Sequence, residues 1–258
     1  MNIGNGMMKR VVRLGLLLML GASMCACSTS WKEEVLLHDG SKVIVERSQS
    51  YGGRHEIGQP SPIKEHTISF KLLNGGKAIK WTSEYSEDIG RANLNLLALH
   101  VLNGVPYIVA TPNLCLSYNK WGRPNPPYVF FKHDGKEWQR ITLQDLPVEF
   151  KTVNIDFGMP WDIRDRRVKF DKGGLLTAET IRRHNEESRQ PEYKTILREA
   201  LPDAGGSCIK TDYYKGYGWL STDWFTDQPS LEACLRFCGQ KKIANEACPC
   251  NKFFKGEK

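Results

Sequence analysis

Residues 94–110 read LNLLALHVLNGVPYIVA. Two β-rich runs, Leu94–Leu102 and Val105–Ala110, flank the dipeptide Asn103-Gly104. Asn-Gly accepts positive φ at both central positions of a two-residue turn, and the twist of that turn matches the strands it joins. The segment is therefore a hairpin. Three more units of the same kind surround it. Val35–His38 and Lys42–Arg47 flank Asp39-Gly40; Thr67–Leu73 and Ala78–Glu84 flank Asn74-Gly75-Gly76; Tyr128–Lys132 and Glu137–Leu143 flank Asp134-Gly135. Residues 148–155 (VEFKTVNI) add a further strand. This pattern predicts an antiparallel sheet: a sandwich, a partial barrel or propeller-like hairpins. The spacing of the turn glycines also fits an internal repeat, but shared turn chemistry accounts for it more simply.

From about residue 173 the pattern changes. Thr177 caps a helix with Leu176 and Ile181 as its hydrophobic staple, and Arg182/Glu186 and Arg183/Glu187 lie at pairing distance on its surface. Pro191 opens a second predicted helix with Tyr193, Ile196, Leu197, Ala200 and Leu201 on one face, ended by Pro202 and Gly205-Gly206. The fold class is thus α+β. An antiparallel β domain spans 31–172, and a helical, cysteine- and aromatic-rich region spans 173–258.

The first thirty residues have a different character. Lys9, Arg10 and Arg13 precede an apolar stretch, Leu14–Ala22, too short to span a bilayer of about 30 Å. A basic start, a short apolar centre and small residues before a cut are the marks of a secretory signal. Met24-Cys25-Ala26-Cys27 resembles the lipobox of bacterial lipoproteins, with the small Ala26 before Cys27 and Met24 in place of the usual Leu. The resemblance implies a signal peptide over 1–26, diacylation of Cys27, and a short linker over 27–30 that holds the domain at the membrane. Ser28, in place of the Asp that marks inner-membrane retention, implies the outer membrane of a Gram-negative cell, facing the periplasm. Plain secretion with cleavage nearby is the alternative.

The chain has 258 residues, 40% of them hydrophobic, and a formal charge of +7. Those values exclude long disorder, collagen and coiled coil. Removing residues 1–26, with three basic and no acidic residues, leaves +4. So small an excess is no nucleic-acid footprint. Lys241, Lys242, Lys252, Lys255 and Lys258 gather near the C-terminus, where a solvated tail is the simpler reading.

With Cys25 lost and Cys27 acylated, six cysteines remain: Cys115, Cys208, Cys234, Cys238, Cys248 and Cys250. An even count in an exported chain favours disulfides. Leu231, Cys234, Leu235 and Cys238 repeat with helical spacing up to Gly239, and cysteines four apart on a helix are about 6 Å apart along its axis. Pro249 favours an extended Cys248–Cys250, which spans about 6.6 Å as strand. A chain turning straight back then pairs Cys238 with Cys248 and Cys234 with Cys250, leaving Cys115 for Cys208. This Cys-x3-Cys…Cys-x-Cys arrangement resembles the cystine-stabilised α/β motif of small secreted proteins, which implies a staple rather than a toxin activity. A four-thiolate zinc site is the competing reading, although neither pair has the usual Cys-x2-Cys spacing.

No nucleophile elbow, zinc-protease pair, Walker loop or dinucleotide-binding turn occurs. No cofactor or catalytic residue is therefore assigned. Asp156, Asp162, Asp165 and Asp171 are interleaved with Arg164, Arg166 and Arg167, so mutual neutralisation is favoured over a calcium or acid/base site. Two surfaces stand out for binding. Trp121 and Arg123 sit on the rigid loop 119–127 (NKWGRPNPP), and residues 213–225 carry Tyr213, Tyr214, Tyr217, Trp219, Trp224 and Phe225. Either surface suits an envelope glycan or protein. The expected function is a non-catalytic, membrane-tethered binding or scaffold protein. The alternative is an envelope glycan hydrolase built from carboxylates on separated strands.

Overall fold

The computed structural model describes residues 28–72, 75–157 and 174–254. Its strands are β1 (Ser28–Leu36), β2 (Lys42–Tyr51), β3 (Ile63–Phe70), β4 (Ile79–Thr82), β5 (Tyr85–Ser86), β6 (Arg91–Ala92), β7 (Leu94–Leu102), β8 (Val105–Pro112), β9 (Val129–His133), β10 (Trp138–Ile141), β11 (Leu175–Leu176), β12 (Thr211–Tyr214) and β13 (Gly218–Ser221). The helices are α1 (Leu114–Lys120), α2 (Ala178–Glu186), α3 (Asp223–Thr226), α4 (Leu231–Gln240) and α5 (Cys250–Phe253).

All four hairpins form. β1–β2, β3–β4, β7–β8 and β9–β10 are antiparallel pairs. In the last turn Asp134 Oδ1 accepts from the Lys136 and Glu137 amides, both at 2.8 Å. One sheet has the order β11-β1-β2-β3-β4 and the other β10-β9-β8-β7. Their inner faces meet as a sandwich. Val35, Val43, Val45, Ile68 and Phe70 pack against Leu94, Leu96, Leu99, Ile108 and Val129.

The second sheet is buried on both faces, which explains why β7 and β8 read as near-continuous apolar runs instead of alternating. Its outer face carries Leu97, Tyr107, Val109 and Phe130, covered by Leu146, Phe150, Val153 and Ile196. A bulge between Leu96 and Ala98 turns Leu97 outward without breaking the inner row.

The predicted strand over 148–155 is instead an irregular cover whose one ladder contact is a Thr152–Thr195 bridge. Asn154 replaces the missing ladder. Its amide accepts from Leu99 N (3.0 Å) and donates to Leu99 O (2.7 Å) and Leu36 O (2.9 Å), stitching the two sheets together. The predicted helix after Pro191 stops at a 3-10 turn, Pro191–Tyr193. Beyond it Ile196 N donates to Lys151 O at 2.9 Å, so pairing with the cover segment, aided by β-branched Thr195 and Ile196, overrides the helical spacing. α2 forms as expected, with Thr177 Oγ1 accepting from Thr180 N and Arg182 paired to Glu186 at 2.7 Å.

Segments beyond residue 173 still pack on the sandwich. β11 joins β1 in parallel register, and Ile196 packs on the sandwich. A separate core begins with β12, where Phe225, Cys234, Cys238, Ile243, Cys248 and Cys250 are buried together. Ser28, within the span 27–30 expected as a linker, pairs with Ser50 in β1–β2.

The disulfides are Cys115–Cys208, Cys234–Cys250 and Cys238–Cys248. The pairing follows the spacing argument, but the geometry does not. α4 runs on through Gly239 to Gln240, and Pro249 introduces the helical turn α5 where a strand was expected. Proline's restricted φ suits the start of a helix, so the clamp joins helix to helix and the likeness to the cystine-stabilised α/β motif lapses.

Candidate ligand cleft

Inward positions along the first sheet change character from one end to the other. On β2 they run Val43, Val45, Arg47, Gln49; on β1, Val35, Glu33, Trp31; on β3, Phe70, Ile68, His66. The aliphatic end forms the core. At the opposite end Glu33, Arg47, Gln49 and His66 are nonetheless buried. Polar groups are tolerated there only with partners.

Arg47 Nη1 donates to both Glu33 oxygens, at 3.0 and 3.2 Å, and the guanidinium lies 5.2 Å from the Trp31 ring centre. Trp31 Nε1 donates to Glu33 Oε1 at 2.6 Å, and the Asp156 amide to Oε2 at 3.4 Å. Burial, seconded by the Asp156 charge, pushes the Glu33 carboxyl above its ordinary range; Arg47 and the Trp31 hydrogen bond pull the other way. Asp156 Oδ1 in turn holds His184 Nδ1 at 2.7 Å.

A second chain of bonds fixes a tautomer. Tyr51 Oη donates to Gln49 Oε1 at 3.1 Å, so the Gln49 amide nitrogen faces His66 Nδ1, 3.4 Å away. That nitrogen can only donate. His66 Nδ1 is then the acceptor and Nε2 carries the proton; Arg47 Nε is buried without a hydrogen-bond partner among the described residues. Burial, with the nearby Arg47 charge, lowers the His66 pKa to about 3, opposed by a hydrogen bond to the Asn95 side chain.

Of these groups Arg47, Gln49, Tyr51, His66 and Asp156 line a cleft of about 430 Å³ at the polar end of the sandwich, within the range of small-molecule sites. Its polar lining includes Gln49, Tyr51, Arg54, His66, Arg91 and Asn95. Pro60, Pro62, Ile63, Leu96, Leu114 and Phe157 supply apolar wall. The loop between β2 and β3 is docked by a glycine contact. Gly53 has φ +95°, and a Cβ there would lie 2.2 Å from Gly90 O. Arg54 N donates to the same carbonyl at 3.0 Å, which brings Arg54 and Arg91 to one rim. Leu114, next to Asn113, whose side chain donates to Ala92 O just after Arg91, has φ +65°, a region that L-residues rarely occupy. A second groove of about 520 Å³ lies between Pro124–Pro126 and Arg140–Gln144. The Arg140 guanidinium there is already engaged over Trp121, 5.1 Å from the ring centre.

The surfaces proposed from sequence resolve differently. Trp121 tucks onto the core and meets Phe131 edge-on, 6.3 Å between ring centres. Arg123 donates to Asn119 Oδ1 (2.8 Å) and Cys208 O (3.1 Å). Both side chains are thus engaged within the fold, Trp121 gaining apolar contact by packing back. The aromatic segment divides. Phe225 and Tyr214 fill the small C-terminal core, and Trp219 Nε1 donates to Asp88 O at 3.2 Å, docking that module on the sandwich. Tyr217 Oη accepts from Ala244 N at 2.8 Å. Tyr213 and Trp224 remain about half exposed. Cys27, Asp162, Asp165 and Asp171 lie outside the described residues. No helix among the described residues is long and apolar enough to cross a membrane.

The cleft escaped sequence reading. Its signal was a polar residue at an inward position of an alternating strand, as at Glu33, Arg47 and His66.

The two buried histidines give an acid-sensitive fold. His100, like His66, is held neutral by burial, its pKa lowered to about 4. Below the ordinary value near 6.5 the unfolded chain takes up protons that the fold refuses until about 4 and about 3. Stability is therefore lost as pH falls through that window. The Glu33 contribution has the opposite slope above 4.5, where the fold holds its proton longer than the unfolded chain. Denaturant midpoints from pH 7 to 4.5 are expected to fall by the equivalent of roughly 2–4 kcal/mol. A His66→Leu variant should lose part of that slope, and an unchanged slope would rule out His66 as a source.

No family model matches the chain, and no curated protein or solved structure was found to be similar to it.

Proposed function

We propose that this chain is a non-catalytic binding protein of the bacterial envelope, lipid-anchored through Cys27 on the periplasmic face of the outer membrane, with the polar cleft as its ligand site. The carrying observation is the cleft itself: a concavity with apolar walls whose polar lining includes Gln49, Tyr51, Arg54, Arg91 and Asn95. Oxidised cysteines support export, since disulfides persist outside the reducing cytosol. The state of the two nearest carboxylates, Asp156 in the lining and Glu33 behind it, favours binding over glycan hydrolysis. Glu33 has no exposed surface and is clamped by Arg47, and Asp156 is held by His184.

The test has two arms. Mass spectrometry of the mature N-terminus is expected to find Cys27 carrying acyl chains; a full-length chain with reduced thiols in the cytosol would end the export reading. Small-molecule extracts of the envelope are expected to raise the melting temperature of the wild type but not of Ser61→Trp, which fills the cleft. An equal response in both would remove the cleft from consideration.

A further inference from the structure

We propose that the cleft takes an anionic lipid from the membrane to which the chain is tethered, with the acidic headgroup against Arg54 and Arg91 and the start of an acyl chain along the apolar wall. This rests on the anchored, ligand-binding reading above and names its ligand class. Three independent observations lead to it.

The first is position. The cleft opens at the end of the sandwich where the described chain begins. Thr29 pairs with Gln49, Ser28 with Ser50, and the Tyr51 hydroxyl lies 3.4 Å from Thr29 Oγ1. Gln49 and Tyr51 line the cleft. Cys27 is bonded directly to Ser28, and one extended residue reaches only about 3.5 Å. An acyl anchor on Cys27 would hold the cleft mouth at the lipid surface.

The second is charge. Arg47, Arg54 and Arg91 line the cleft against a single carboxylate, Asp156. Arg47 and Asp156 are spoken for by Glu33 and His184. Arg54 and Arg91 make no ion pair with any described residue; Arg54 reaches only the Glu87 carbonyl, at 3.3 Å. Basic groups beside a bilayer attract anionic headgroups.

The third is the rim. Ile57 is fully exposed on the loop that carries Arg54, and Leu114, a lining residue of the cleft, is 62% exposed. Isolated exposed apolar residues are ordinary. Here they accompany the two arginines of a basic cleft, and a mixed apolar and basic surface gains from lipid contact. A volume of about 430 Å³ admits a headgroup and the first stretch of one chain, leaving the rest in the bilayer.

The test uses the processed, acylated protein reconstituted in nanodiscs of phosphatidylcholine, with or without phosphatidylglycerol, read by hydrogen exchange over residues 49–62. Phosphatidylglycerol is expected to increase protection of this segment, and soluble glycerol 3-phosphate at the same concentration to leave it unchanged. The Arg54→Gln/Arg91→Gln variant should need roughly thirtyfold more phosphatidylglycerol, from about 1 kcal/mol lost per arginine at an anionic surface. Arg54→Glu/Arg91→Glu should shift in the same direction by more, and Arg236→Glu, on the C-terminal module, not at all. Protection that ignores phosphatidylglycerol, or is equal in wild type and the double variants, overturns the lipid assignment. Full protection by glycerol 3-phosphate alone also overturns it, in favour of a free anion. Each of these outcomes leaves the melting-temperature test of the cleft standing, so failure of the lipid class and failure of the binding reading are told apart.

Discussion

Glu33→Ala is expected to destabilise the sandwich by about 3–5 kcal/mol, the usual cost of breaking a buried ion pair from one side. The cost comes from what is left behind. Arg47 is 2% exposed, and its guanidinium would lose both carboxylate contacts. Trp31 Nε1 and the Asp156 amide would lose their acceptor as well. For a domain of this size, a melting-temperature drop on the order of 10 °C follows. Glu33→Gln keeps an acceptor for Trp31 and should lose less. Removing both charges together, as Glu33→Leu with Arg47→Met, should recover much of the loss, since an apolar replacement no longer strands a charge. Chemical denaturation of the four proteins would decide the point. A single-variant loss below about 1 kcal/mol would mean that the pair is hydrated and that the floor of the cleft is wetter than its burial indicates.

The other large effect concerns the C-terminal module. Replacing Cys234 and Cys250 together by alanine is expected to unfold residues 211–254 locally and leave β1–β10 intact. Four of the six fully enclosed side chains of that small core are cysteines, so there is little apolar mass to hold it once a bridge is gone. Closing the loop from 234 to 250 contributes about 3 kcal/mol by restricting the unfolded chain, a large share of what so small a module can possess. Hydrogen exchange would show α4 amides losing protection while those of β2 and β7 stay slow. Protection of α4 that survives the double replacement would show that Phe225, Ile243 and their neighbours suffice alone.

The hairpins were legible because Asn-Gly and Asp-Gly turns are set by local φ preferences that no tertiary contact needs to supply. The disulfide pairs were legible because spacing along one helix limits which sulfurs can meet. What stayed hidden was decided at a distance. The segment 148–155 looks like a strand by its residues, but Asn154 binds both sheets at once and takes it out of any ladder. Ile196 and Leu197 keep helical spacing, yet the cover segment Lys151–Val153 offers backbone partners first. The cleft was hidden for a further reason. Strand alternation identifies which residues face inward, but not that one end of the interior would be left open.

Cys115 and Cys208 lie 93 residues apart and join α1 to the chain just ahead of the C-terminal module. A protease that cuts once anywhere between them yields two fragments still covalently linked. The nicked molecule would migrate as a single species on a non-reducing gel and separate only with reductant. Shedding the C-terminal piece into the surroundings would take a second cut outside that ring, or a thiol donor able to open the bond.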